Sequence, residues 1–180
     1  MSQRIPLPES KLKELQHEIE PIAKGFDSSA DHAIITDEHA NILYANNAVE
    51  EKTGFTKEEV IGKNPGDLWG GNMPYEFYKE MWRAIKVLKV PFVGEVHNKK
   101  KDGTWYWQEV HISPILDDAR NVRFYVGVEP DITLRKSTEK ELVDQYEMTM
   151  RLRKIVENRE LNMSDLEKEM RELKKKIGTS

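Results

Sequence analysis

The sequence predicts an α+β fold in which a core of strands and short helices is flanked by one helix on each side along the chain. Nearly all aromatic residues and glycines lie between residues 30 and 132, among short alternating apolar runs typical of strands. From Thr133 onward the chain has mixed charges and no proline, which is typical of a solvated helix. We therefore divide the chain into an N-terminal amphipathic helix (1–29), a core domain (30–132) and a coiled-coil helix (133–177).

Composition excludes several function classes. With 33% charged and 38% hydrophobic residues and a mean hydropathy of -0.71, the 180 residues are too polar for one compact globule. A net charge of -4 argues against non-specific nucleic-acid binding. The absence of cysteine excludes disulfides, thiolate metal sites and cysteinyl adducts. No segment approaches the ~18 apolar residues of a membrane span, so we expect a cytoplasmic protein without a membrane partner.

The N-terminal segment has the spacing of an amphipathic helix. Its apolar residues recur every three or four positions, at Leu12, Leu15, Ile19, Ile22 and Phe26. Pro21 lies inside this pattern and should kink or divide the helix. The apolar face predicts that this helix packs on another surface.

The sequence pattern of the core predicts strands separated by short helices. Strands are predicted over 32–36, 41–44, 92–98, 104–115 and 122–128, and helices over 46–52 and 75–88. Gly54 is suited to end the first of these helices in the left-handed conformation. Thr56 and Glu59 have the spacing of a capping box.

The C-terminal segment follows a heptad register, and its two inward positions define what we call the seam. The apolar and small seam residues are Leu142, Thr149, Leu152, Val156, Met163, Leu166, Met170, Leu173 and Ile177. Gln145 and Arg159 interrupt the seam with polar side chains. About five heptads predict a coiled coil and imply a partner helix, most simply in a homodimer. The alternative is a helix folded back on its own core, and a second capping box at Ser164 would allow a break near Asn162.

Residues 30–136 resemble the PAS domain family. The resemblance rests on segments in the family's order: 34–37 (IITD), 42–48 (ILYANNA), 53–55 (TGF), 59–64 (EVIGKN), 100–107 (KKDGTWYW), 126–128 (VGV) and 131–136 (DITLRK). It implies a PAS fold with a five-stranded antiparallel sheet, order 2-1-5-4-3, and short helices on one face enclosing a ligand cleft. Met81-Trp82, the segment 91–95 and Asn98 are similar to the flavin-binding branch of NifL, Aer and LOV sensors.

This resemblance implies a flavin site on the inner face of the sheet. Asn98 and Gln108 match positions that hydrogen-bond the pyrimidine edge of the flavin ring, and Glu129 matches a glutamine beside N5. Strand alternation places all three on one face, and Gly127 would leave room for the ring. The full set of candidate cofactor-binding residues is Asn64, Trp69, Phe92, Asn98, Tyr106, Gln108, Tyr125 and Glu129. FAD is favoured over FMN because Gly66 stands where the phosphate-binding arginine is expected.

Two departures limit the analogy. Pro65 occupies the position of the photoactive cysteine of LOV domains, which excludes thiol-adduct photochemistry. Glu129 replaces an amide with a carboxyl group, which when ionised only accepts hydrogen bonds and would need a raised pKa to donate one. Three alternatives stay open: no ligand, with Asn98 and Gln108 satisfying buried polar groups; haem; or another small molecule.

The opposite face of the sheet carries both aromatic and polar side chains. Glu95, His97, Glu109 and His111 lie there on neighbouring strands and could ligate a metal, although a half-exposed polar stripe is the simpler interpretation. The apolar part of this outer face is too large to remain wet. We expect the N-terminal helix, the start of the C-terminal helix or a second copy to cover it.

These features predict a dimeric sensory module rather than an enzyme. A cue in the cleft would bias the coiled coil through a hinge at Asp131 and Thr133, with Gln145 and Arg159 as the bistable seam positions. The output would go to an effector domain or to a separate signalling protein. No nucleophile-and-base constellation, ATP-binding motif or cyclase signature is found in the sequence. The alternative function is a ligand-free PAS dimerisation module.

Overall fold

The computed structural model describes residues 7–178, so residues 1–6 of the predicted N-terminal segment lie outside the described residues. The chain divides into two compact units, one up to Leu134 and one from Arg135 onward. The first unit contains the sheet, the short helices and the N-terminal helix. The second unit is formed by one long α-helix.

The first unit is built on the predicted five-stranded antiparallel sheet. Its strands are β1 (His32–Asp37), β2 (Ile42–Ala45), β3 (Phe92–Lys99), β4 (Trp105–Leu116) and β5 (Val122–Glu129). They are arranged in the order β2-β1-β5-β4-β3, and every neighbouring pair is antiparallel. The fold class and strand order expected from the resemblance are therefore confirmed.

Short helices connect β2 to β3. They are α2 (Asn47–Thr53), α3 (Lys57–Val60), α4 (Pro65–Leu68) and α5 (Tyr75–Trp82), which follow α1 (Glu9–Ala23) in the numbering. Gly54 ends α2 with φ of 77°, and the Thr56–Glu59 capping box is formed at α3. The single helix predicted over 75–88 is only partly right, because a π-helical turn (Arg83–Leu88) replaces its second half and ends at Lys89 with φ of 58°. The wider turn buries Ile85 while Val87 and Leu88 stay exposed.

Helix α1 covers part of the outer face of the sheet. Leu15, Ile19 and Ala23 are buried against Ile35, Leu43 and Phe124, which lie on β1, β2 and β5. Gln16 Nε2 donates to the Leu43 carbonyl at 3.0 Å, and Arg123 makes two hydrogen bonds with the Glu18 carboxylate. The N-terminal helix is therefore one of the covers expected for this face.

Two details of α1 differ from the sequence prediction. The expected division at Pro21 is wrong, because the helix continues past Pro21 to Ala23 and only then tightens into a 3-10 turn over Lys24–Phe26. Pro21 removes one N–H donor, and the helix leaves the α-helical conformation two residues later. The buried face runs through Ala23, whereas Ile22 is 36% exposed.

The second unit is formed by helix α6, which begins in the first unit and spans Thr133–Ile177 without a break at Asn162. The large apolar seam side chains are between 51% and 74% exposed in the single chain. Over residues 7–178, no helix has both the length and the apolar character needed to cross a membrane.

Candidate ligand-binding site

Two side-chain amides form a pair on the buried inner face of the sheet. Asn98 on β3 and Gln108 on β4 are 3% and 0% exposed. Asn98 Nδ2 donates to Gln108 Oε1 at 2.9 Å. The Gln108 amide in turn donates to the backbone oxygen of Glu129 at 3.1 Å, which links β4 to the end of β5. Two of the predicted site residues are thus in direct contact, and the third adjoins them.

His32 completes this network from the neighbouring strand. It is fully buried on β1, paired in register with Glu129 on β5. Gln108 Nε2 lies 3.1 Å from His32 Nδ1, and because an amide nitrogen only donates, Nδ1 must accept. The proton of neutral His32 is therefore on Nε2. That atom is 3.7 Å from Glu129 Oε2, too far for a hydrogen bond.

Burial shifts the pKa values of this acid and base in opposite directions. Desolvation lowers the pKa of His32 to about 3, because the charged imidazolium has no water around it. Desolvation also raises the pKa of Glu129 to about 7. Near neutral pH, His32 is therefore uncharged and Glu129 is partly protonated. The pKa of Glu129 is therefore raised, as a carboxyl group that donates a hydrogen bond near neutral pH requires.

Several polar atoms in this interior have no hydrogen-bond partner among the described residues. They are His32 Nε2 and the hydroxyl oxygens of Tyr106 and Tyr125. Burial raises the pKa of both phenols, so both stay neutral donors. Because an unsatisfied buried donor costs about 1–3 kcal/mol, such atoms point to a missing acceptor.

Aromatic side chains form the walls of the candidate site. Trp69 is buried, with its ring 5.0 Å from that of His32 in an edge-on contact. Phe92 makes a similar contact with Phe77 at 5.5 Å, and the ring of Tyr125 lies 5.8 Å from that of Trp82. Of these rings only Trp69 contacts the polar network, whereas the Phe77–Phe92 and Trp82–Tyr125 pairs lie further along β3 and β5.

Two expectations about the site are not met. Asn64 is separate from the network, because its Oδ1 accepts from Gly66 N at 2.9 Å and caps α4 instead. The space expected beside Gly127 is filled, since a Cβ there would lie 3.3 Å from Cγ1 of Ile34. Ile34 belongs to a cluster that also contains Trp69, and this cluster closes the interior.

The segment after β5 continues the sheet pairing beside the amide network. Glu109 N donates to Pro130 O at 3.0 Å, and Ile132 N donates to Trp107 O at 2.9 Å. The Asp131 carboxylate accepts from Thr133 N at 2.9 Å and so fixes the first residue of α6. The residues on either side of Asp131 are thus bonded to the residues on either side of Gln108 on β4.

The outer face of β3 and β4 carries an aromatic stack rather than a metal centre. The His97 ring is stacked between those of Trp105 and Trp107, at 4.7 and 4.5 Å. His111 Nε2 pairs with the Glu109 carboxylate at 2.7 Å. No group of three or more metal-ligating side chains occurs in the part of the chain that the structure describes.

His32 is the site residue that sequence reasoning missed. Strand alternation in β1 places His32 and Ile34 on the inner face, where they pair with Glu129 and Gly127 on β5. The strand order expected from the resemblance was therefore sufficient to find this residue.

Comparison with known proteins assigns the class. A PAS domain family model matches residues 30–134. The chain belongs to the PAS domain family, as the strand order and the buried network indicate. It contains a sensory PAS domain.

Individual relatives belong to bacterial signalling systems. The chain is 32% identical over 108 residues to the nitrogen fixation regulatory protein of Klebsiella oxytoca, a match covering 60% of this chain and 22% of that protein. It is 35% identical over 124 residues to a blue-light photoreceptor of Listeria innocua, covering 67% and 48%. The matches thus span less than half of either relative.

Solved structures share the fold. An RNA-binding light-oxygen-voltage receptor superposes with a TM-score of 0.62 at 24% identity, covering 78% of this chain and 39% of that one.

Proposed function

We propose that this chain is a flavin-type PAS sensor that couples the state of a ligand inside the sheet to a dimeric coiled coil. The observation that carries the proposal is the pair of unpartnered buried donors, His32 Nε2 and the Tyr106 hydroxyl, beside the Asn98–Gln108 amide pair. A flat heteroaromatic ligand with polar edges supplies acceptors for such donors and aromatic surface for the surrounding rings. Relatives named as blue-light photoreceptors support this choice of ligand.

The residues present fit a flavin in their polar chemistry. Asn98 and Gln108 together offer amide donors and acceptors, as a pyrimidine edge requires. Glu129, held partly protonated by burial, is able to donate as well as accept. When bound, a flavin supplies redox and light-absorbing chemistry, and the side chains of this chain bind and orient it. Binding requires Ile34 and Trp69 to move from the space they fill beside Gly127 and His32.

The proposed relay follows the bonded segment after β5. Gln108 binds the backbone oxygen of Glu129 with its side chain, and Trp107 binds Ile132 and Thr133 with its backbone. A change in the hydrogen bonds of Gln108 therefore strains the backbone at the start of α6. We propose that the two seam positions Gln145 and Arg159 make the paired helices responsive to this strain.

Absorption spectroscopy of the purified chain tests the proposal. A yellow protein that releases FAD or FMN on denaturation, detected by mass spectrometry, supports it. The variant Asn98→Ala should lose most of the flavin, whereas Asn121→Ala, an exposed residue in the turn before β5, should retain it. A folded protein that stays colourless after incubation with FAD, FMN and riboflavin contradicts the ligand assignment.

A second candidate is a ligand-free PAS dimerisation module, and the packing favours it in one respect. Asn98 and Gln108 satisfy each other, and Ile34 and Trp69 fill the interior. In that case the function lies in holding two chains together. A colourless dimer with an unchanged melting temperature in the presence of flavins would favour this function.

A further inference from the structure

Helix α6 contains two basic and two acidic residues that form no ion pair within the described part of the helix. Elsewhere on the helix, charges combine at three- or four-residue spacing, as in Arg153–Glu157 and Arg171–Glu167. Arg159 and Glu160 have no ion pair among the described residues, and the sequence places no opposite charge three or four positions from either. The same holds for Glu169 and Lys174.

The heptad register gives these four residues specific positions. With Leu142 at position a, Arg159 is at position d of the seam and Glu160 is at the flanking position e. Glu169 is at position g, and Lys174 is at position e of the following heptad. In a parallel pair of helices in register, position d packs beside e of the other helix, and g lies opposite the next e.

We infer that a second copy of this chain pairs with α6 in parallel and in register, with Arg159 of each helix bound to Glu160 of the other. The same alignment brings Glu169 beside Lys174 of the second copy. Each of these four charges thus finds a partner on the other helix. This inference rests on the proposed dimeric function and adds orientation, register and the residues that set them.

The antiparallel alternative is less favourable for Arg159. Two antiparallel registers overlap the seam equally. The first sets Arg159 opposite Val156 of the second copy and beside its Arg153, a like charge that is already paired with Glu157 at 3.0 Å. The second sets Arg159 opposite Met163, but it brings the two Glu160 carboxylates opposite each other. Parallel pairing also places the two Arg159 side chains in one layer, where the two Glu160 carboxylates offset their repulsion.

Charge exchange in the full chain tests the ion pair. Arg159→Glu and Glu160→Arg should each raise the dimer dissociation constant by about tenfold or more, because two contacts become repulsive in the symmetric pair. The double variant Arg159→Glu/Glu160→Arg should return to within about threefold of the wild type. Lys154→Glu, the same charge reversal at an outward position of the helix, is the matched control and should leave the constant unchanged.

Disulfide trapping tests the orientation, since the chain has no cysteine of its own. Leu166→Cys at position d should cross-link two copies on mild oxidation, whereas Lys154→Cys should not. A wild-type chain that is monomeric throughout would overturn the proposed dimeric relay itself. A wild-type dimer whose double variant is not rescued, or whose Leu166→Cys variant fails to cross-link, would overturn only this inference. Far-UV circular dichroism confirms that each variant keeps its helix.

Discussion

Thr133 Oγ1 accepts a hydrogen bond from the backbone N–H of Trp107 at 2.9 Å. This bond joins the first residue of α6 to β4, at the residue directly before Gln108. The side chain of Gln108 belongs to the buried network, while the backbone of its neighbour holds the start of the helix. The contact is the shortest covalent and hydrogen-bonded route from the interior to α6.

Replacing Thr133 with valine should loosen this junction. The substitution removes the hydrogen bond that the Trp107 amide donates at a half-buried site, which should destabilise the first unit by about 1 kcal/mol. Hydrogen exchange of the Trp107 amide should accelerate by about fivefold. Thr133→Ser keeps the oxygen and should preserve the protection. Equal exchange rates in both variants would show that the hydroxyl does not hold the junction.

Glu129→Gln should change how stability depends on pH. In the wild type, the raised pKa of Glu129 stabilises the fold fully below pH 4.5 and loses this contribution as pH rises through about 7. The lowered pKa of His32 acts in the opposite sense, with stability present above pH 6.5 and lost as pH falls towards about 3. The two effects largely cancel between pH 5 and 7.

The variant should therefore reveal the effect of His32 alone. Urea unfolding should show Glu129→Gln to be about 2 kcal/mol more stable at pH 8 than at pH 5, beyond any change in the wild type. The control Glu51→Gln, on the exposed side of α2, should keep the wild-type profile. A Glu129→Gln profile that parallels the wild type would mean that the carboxyl is already ionised throughout this range.

Ile19→Ala should weaken the attachment of α1 to the sheet. Ile19 is 1% exposed among Leu15, Leu43 and Phe124, and truncating it leaves a cavity that costs about 2–4 kcal/mol. Ile22→Ala, three residues away and 36% exposed, should cost less than about 1 kcal/mol. Urea unfolding measures both. Similar losses for the two variants would indicate that α1 packs on a different face.

The double variant Gln145→Leu/Arg159→Leu should tighten the dimer and reduce its response. Two polar layers of the seam become apolar, and their packing between the helices should outweigh the loss of the ion pair with Glu160, which lies at the solvent-exposed edge of the seam. Analytical ultracentrifugation should show at least about tenfold tighter association, with Lys154→Leu as the outward control. Any redox- or light-dependent change in hydrodynamic radius should shrink. A response of unchanged size would remove these two positions from the switching mechanism.

Local patterns were sufficient to predict most of the first unit. The Thr56 cap, the end of α2 at Gly54 and the faces of β3, β4 and β5 follow from short-range rules and formed as expected. The strand order came from the family resemblance. The π-helical turn after Trp82 could not be predicted, because apolar spacing alone does not distinguish a wider turn from an α-helical one.

The site was only partly predictable for a different reason. Parity assigns a side chain to a face but does not say which polar groups bond each other there. The family resemblance predicts Asn64 in the cleft. Its side chain instead accepts a hydrogen bond from the backbone N–H of Gly66, because short polar side chains often bond to nearby backbone groups. The contact between Gln108 and His32 joins residues 76 positions apart and depends on the packing of three strands.

The four tryptophans are divided between the two faces of the sheet. Trp69 contacts the buried His32 and Trp82 contacts Tyr125, whereas Trp105 and Trp107 flank the imidazole of His97 on the outer surface. We therefore expect blue-shifted emission from the buried Trp69 and red-shifted, imidazole-quenched emission from the outer pair. A single emission scan distinguishes an event inside the sheet from one on its exterior without any added label.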